Sequence, residues 1–222
     1  YNGGTGAIRD MTVAPDGSGT MYLWGGAAGT ALYKMDALGT RIATFTQTGA
    51  AYRAIAWDKN RKGFWSCNFA GDIVCRDTLG TVLGTVTSAL PGKYGLAFDS
   101  TSTADSAYLW VWSQGAATGD PGQLQKVYIR TNTVIATYLF PLVGGTLGIA
   151  GGAEMFVRNN ELILALNYQN FANVGYKVKD LADQIDQSSH FRSMMQSQLM
   201  KRADLLTEHK VVDFIKKGDT TD

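Results

Sequence analysis

The feature that most constrains this chain is an internal period of 41 residues. Asp36-Ala37-Leu38-Gly39-Thr40 returns as Asp77-Thr78-Leu79-Gly80-Thr81, Trp24 returns as Trp65, and Asp58 returns as Asp99, each 41 positions on. Three registers sharing one offset define a structural repeat. The fullest copy lies between Tyr52 and Val86. In it, Ala54-Ile55-Ala56-Trp57, Gly63-Phe64-Trp65-Ser66-Cys67, Ile73-Val74-Cys75-Arg76 and Val82-Leu83-Gly84-Thr85-Val86 are separated by polar turns. Short runs punctuated this way predict antiparallel strands. Four strands in about 40 residues is the size of one β-propeller blade, and a sheet that small must stack on neighbours to bury its faces.

Residues 7–49 form the preceding copy, with Ile8 and Met11-Thr12-Val13 as its inner run and Asp16 in the turn equivalent to Asp58, one residue out of register. A third copy occupies 93–143, where Tyr108-Leu109-Trp110 answers Tyr22-Leu23-Trp24. Matching Val127-Tyr128-Ile129-Arg130 to the third strand implies about nine added residues, placed at 114–122. In repeat folds such insertions map to loops on one face, often the binding face, so Gln114, Thr118 and Asp120 are the binding-loop candidates. Residues 146–178 are a degraded fourth copy, without the Asp-x-x-Gly-Thr turn and without a recognisable fourth strand.

The expected fold class is therefore all-β: a propeller-like array of about four four-stranded blades, the last incomplete, over residues 1–178. Residues 179–222 are expected to be a C-terminal α-helical segment, since all five Trp and all four Pro precede them and Leu, Met, Gln, Lys and Ala dominate up to 217. Leu181, Ile185, Met195, Leu199 and Leu206 form an interrupted apolar stripe, and Phe214 sits in a final apolar cluster. These six are the assembly candidates. They suit packing against this chain's own sheets or against protein subunits, same or different.

Cys67 and Cys75 stand four residues either side of Gly71 in a predicted hairpin. That symmetry favours a cross-strand disulfide, with an oxidising compartment as its consequence, over two buried thiols filling one core position. Their spacing is neither that of a redox pair nor that of a zinc knuckle. The formal net charge is +1 with acids and bases interspersed, so no basic footprint for nucleic acid exists. No apolar run reaches the length of a transmembrane helix. The opening Tyr1-Asn2-Gly3-Gly4, with neither initiator Met nor secretory signal, suggests a processed product or a piece of a longer chain.

Catalytic constellations are thin. The two histidines, His190 and His209, lie in the tail, remote from any nucleophile in the sheet region. The glycine pairs at 144–145 and 151–152 lack the context of a phosphate loop. Trp24, Trp65 and Trp110 recur at one repeat position and are expected in equivalent core sites between blades. The sequence implies no catalytic set, no metal site and no cofactor.

Arg53-Ala54-Ile55-Ala56-Trp57-Asp58, Gly63-Phe64-Trp65-Ser66, and Gly71-Asp72-Ile73 followed by Asp77-Thr78-Leu79-Gly80 resemble the blades of secreted or surface β-propellers of the NHL and gluconolactonase-like kind. The likeness covers residues 7–178 and implies fold more than activity. Enzymes of that kind hold a divalent metal at the channel mouth, which draws attention to Asp16, Asp58 and Asp99. Turn chemistry alone also places Asp at such positions. The expectation is a non-enzymatic structural or binding module acting in a larger, secreted, cell-surface or periplasmic assembly through its tail. The alternative is a propeller-type metal-dependent hydrolase or lactonase.

Overall fold

The computed structural model describes residues 8–27, 29–99, 101, 107–114, 122–140, 149–169 and 172–180. The first blade contains β1 (Ile8–Pro15), β2 (Met21–Ala27), β3 (Ala31–Met35) and β4 (Arg41–Thr46). The second contains β5 (Ala54–Asp58), β6 (Gly63–Cys67), β7 (Ile73–Arg76) and β8 (Val82–Val86). The third contains β9 (Lys93–Asp99), β10 (Tyr108–Ser113), β11 (Gly122–Tyr128) and β12 (Thr133–Phe140). The fourth contains β13 (Ile149–Arg158), β14 (Glu161–Gln169) and β15 (Ala172–Lys177), three strands among the described residues, and a 3-10 turn at Val178–Asp180 follows.

Every sheet is antiparallel and keeps chain order, so each strand pairs only with its sequence neighbours. The inner strands meet in the cycle β1–β5–β9–β13–β1. The chain is therefore a four-bladed β-propeller, and its ring closes within one chain. Close approach at the axis needs small residues: a Cβ on Gly95 would lie 2.6 Å from the backbone nitrogen of Ala153 and 2.7 Å from the carbonyl oxygen of Gly151.

The 41-residue period is visible atom by atom in the outer turns. The Asp36 carboxylate accepts the N–H groups of Leu38 (2.9 Å) and Thr40 (2.7 Å), while Gly39 donates to the Asp36 carbonyl. Asp77 does the same with Leu79 (2.9 Å), Thr81 (2.8 Å) and Gly80. Gly39 and Gly80 take φ of 82° and 94°, where a side chain is unfavourable. In the third blade Asn132, at φ 55°, occupies the corresponding left-handed position.

The tryptophans Trp24, Trp65 and Trp110 are all buried at one repeat position. Trp24 faces Lys34 and Trp65 faces Cys75, ten residues apart in each case, whereas Trp110 faces Lys126, sixteen apart. The third-blade insertion is thus six residues, not about nine. The expected equivalence of Arg130 with Arg76 misplaced β11, which already begins at Gly122. The inner run of the first blade is β1, as expected. Asp10, Thr12 and Ala14 are its buried residues, and Met11 and Val13 are 49% exposed.

The cysteine expectation is corrected. Ser66 faces Val74, so the hairpin is centred on Ala70 rather than Gly71, and Cys75 falls opposite Trp65 instead of Cys67. Both cysteines are free, buried thiols of one apolar cluster, and burial pushes each thiol up to about 12. The repeat accounts for Cys75 in another way, because it stands where the first and third blades carry lysine. There Lys34 lies 3.7 Å over Tyr22 and Lys126 lies 4.1 Å over Tyr108. In the second blade the tyrosine position is Gly63, and Arg61 takes over the cationic role at 5.5 Å from the Trp65 ring.

Candidate functional site: an aromatic cleft between the first two blades

Apolar residues at a blade seam must pack on one another, and at the seam of blades one and two they are aromatic. Phe45 and Trp24 are 5.5 Å apart between ring centres, Trp24 and Phe64 are 4.9 Å apart, and Phe64 and Trp57 are 4.8 Å apart, all tilted. Trp24 and Phe64 are buried, while Phe45 and Trp57 are partly exposed, so the inner pair anchors the row and the outer pair offers it to solvent. The row floors a cleft of about 560 Å³. That is within the range of small-molecule pockets.

Two turns make its rim. The first, between β1 and β2, is held by Asp16, whose Oδ1 accepts from the backbone N–H (2.9 Å) and hydroxyl (2.6 Å) of Ser18. Its Oδ2 accepts from Lys34 Nζ at 2.8 Å. The Lys34 ammonium and the Ser18 hydroxyl hold the Asp16 carboxyl well below the usual carboxylate range. The second turn, between β5 and β6, presents the exposed Lys59 and Lys62, with Lys62 in the left-handed region at φ 54°. Neither lysine has an ion pair among the described residues. The cleft therefore combines an apolar floor, one internally neutralised ion pair and two uncompensated cations.

The three acids singled out as possible metal ligands are not equivalent. Register places Asp58 and Asp99 at the position of Ala14, with Asp16 two residues further on. Asp58 is fully buried and spends its carboxylate on the N–H groups of Asn60 and Arg61, on the Arg61 guanidinium (2.9 Å) and on Trp65 Nε1 (3.0 Å). Where alanine stands instead, Trp24 Nε1 donates to the Ala14 carbonyl oxygen at 3.2 Å. Asp99 caps its turn through the N–H and hydroxyl of Thr101. These are turn and packing roles, and no group of three His, Cys, Asp or Glu side chains suited to a metal ion occurs among the described residues.

A carboxylate that the sequence reading missed lies at the propeller axis. Asp10 of β1 accepts the N–H of Met11 (3.0 Å) and, from the neighbouring inner strand, that of Ile55 on β5 (3.0 Å), and the Leu96 N–H of β9 also favours its charged form. On β13 it abuts Gly152, where a Cβ would collide with its Oδ1. One acid thus touches all four inner strands. Burial raises its pKa well above the ordinary value, and nearby Glu154 raises it further. Glu154, on β13, is itself raised to about 7 by burial, against bonds from the Met155 N–H and the Thr12 hydroxyl. The signal was present, because Asp10 shares the alternating phase of Thr12 and Ala14.

Gln114 stands just past the end of the third blade's second strand with its Oε1 buried and, among the described residues, without a hydrogen-bond partner. Thr118 and Asp120 lie outside the described residues, as do Leu181, Ile185, Met195, Leu199, Leu206 and Phe214. Gln114 is not among the residues that line the cleft. Its lining was legible only in part, through the tryptophan period.

No family model matches the chain, and no curated protein matches it. Among solved structures it is similar to one titled "Structure of U3-55K", at 12% sequence identity and a TM-score of 0.45. The likeness covers 78% of this chain and 53% of the other, so the chain spans about half the length of that structure.

Proposed function

We propose that this chain is a non-enzymatic binding module whose ligand sits in the cleft between the first two blades. The observation that carries the reading is the pairing of partly exposed Phe45 and Trp57 with uncompensated Lys59 and Lys62 around one concave site. Apolar floors with a few placed polar groups are what binding sites present. The compartment expectation loses its support from a Cys67–Cys75 bond, and the binding reading does not depend on it. No specific observation favours the hydrolase or lactonase alternative, nor narrows the blade likeness to NHL or gluconolactonase-like proteins.

Protein-observed NMR against a panel of acidic, basic and neutral peptides and oligosaccharides tests the site. Shifts concentrated on the indole N–H signals of Trp24 and Trp57 are expected, and shifts mapping elsewhere reject the cleft. Action within a larger assembly, through residues 179–217, is part of the same proposal. Sedimentation of the chain with and without residues 181–222 checks it. A smaller species on deletion is expected, and a monomer in both cases removes the assembly role.

A further inference from the structure

Resting on the cleft assigned above, we propose that its occupant is an acidic peptide segment: an apolar side chain seated on the Phe45–Trp57 surface, flanked by carboxylates that reach Lys59 and Lys62. The charges facing the cleft are Asp16, Lys34, Lys59 and Lys62. Asp16 and Lys34 satisfy each other at 2.8 Å, and the other Asp16 oxygen is occupied by Ser18. What remains uncompensated is two ammonium groups three residues apart on one turn. That turn is anchored from below, because Asp58 accepts the N–H groups of Asn60 and Arg61 and so fixes the backbone between the lysines. An anionic ligand meets them without a repulsive partner, which gives charge complementarity its usual role in choosing partners.

The remaining chemistry separates peptides from other anions. The cleft is too large for one side chain alone and is floored by rings, so the ligand must bring apolar volume as well as charge. A nucleic acid strand needs a track of cations along its phosphates, and two lysines on a chain of formal net charge +1 do not make one. A glycan asks for acceptors beneath its hydroxyls, and the carboxylate in the cleft is already committed to Lys34 and Ser18. An apolar residue between Asp or Glu residues supplies volume and charge together.

Titration calorimetry with short synthetic peptides tests this: Leu or Phe centres flanked by acidic, neutral or basic residues, and acidic peptides without an apolar centre. Binding confined to acidic peptides with an apolar centre, weakening as salt rises, is expected. Lys59→Ala and Lys62→Ala are each expected to weaken it about fivefold, the scale of one exposed charge pair, and Trp57→Leu about tenfold or more. Both lysines are exposed, so unchanged thermal melts confirm that these variants fold. Acidic-peptide binding indifferent to both lysine variants overturns the proposal. Equal binding of neutral or basic peptides, with NMR shifts on Trp57, overturns the acidic preference and leaves the cleft standing. No shift at the cleft with any member of the panel overturns both.

Discussion

The second and fourth blades hang from the same ring, but only the second follows the period. Its strands are four or five residues long, its Trp65 is fully buried with Nε1 on Asp58, and its outer turn is the Asp77 motif. The fourth blade has strands of ten and nine residues joined by Asn159 and Asn160, both at positive φ, and contains no tryptophan. In exchange its inner strand brings Glu154 to the axis and leaves room at Gly152 for Asp10. Periodic positions carry packing between blades, which every blade needs alike. Aperiodic positions carry what happens once in the molecule: the axial acids and the Lys59–Lys62 rim.

The largest effect should come from breaking the periodic side of this contrast. Trp65→Ala removes a fully buried indole, at about 3–5 kcal/mol, and takes from buried Asp58 one of its donors, at about 1 kcal/mol more. Phe156→Ala in the fourth blade, 43% exposed on β13, should cost about 1 kcal/mol or less. Urea midpoints of the two variants measure the difference. Similar losses would mean that the fourth blade packs as tightly as the second.

A smaller effect, dependent on pH, probes the aperiodic side. Burial raises Glu154 from its ordinary 4.5 to about 7. The folded state thus holds this proton more tightly than the unfolded chain does. Stability from that proton is full below about pH 4.5 and is lost as pH rises through about 7. Glu154→Gln should leave stability little changed at pH 4 and raise it at pH 8 by up to roughly 3 kcal/mol, the size of such a shift. Asp10 keeps a slope of its own in the variant, because it is raised independently by burial. Thermal melts across pH check the sign. A variant less stable than wild type at pH 8 would show that the ionised Glu154 makes contacts worth more than its burial costs.

Legibility in the sequence follows the same division. The strands of the second blade, the equivalence of the three tryptophans and the outer Asp turns were readable because they repeat. Asp16 was matched to Asp58 from turn composition alone, and only cross-strand register shows that Ala14 is the true counterpart. The cysteine pairing failed for the same reason, since a register centred one residue away moves Cys75 two places from Cys67. Asp10 was passed over because it occurs once, and its alternating phase with Thr12 and Ala14 is a weaker mark than a period. The cleft needs residues from two adjacent blades, so linear spacing could show its tryptophan but not its lysine rim.

The smallest expected effect sharpens the contrast at two hairpin turns, β7–β8 in the second blade and β13–β14 in the fourth, which reach positive φ with different residues. Gly80 sits at φ 94°, and a Cβ added there would find its nearest neighbours 3.8 Å away on Gln47, an ordinary contact. Any loss in Gly80→Ala is therefore conformational rather than steric, about 1–2 kcal/mol for a left-handed alanine. Asn160, at φ 60°, already carries a residue tolerated in that region, so Asn160→Gly relieves only the residual strain. Asn-Gly is the favoured pair for a two-residue hairpin turn with both residues at positive φ. A gain of a few tenths of a kcal/mol is expected, since the glycine also adds freedom to the unfolded chain. Urea midpoints should move in opposite directions for the two substitutions. If Asn160→Gly is instead clearly destabilising, the Asn160 side chain holds the hairpin together, and the fourth blade's turn is as specified as the Asp77 turn of the second.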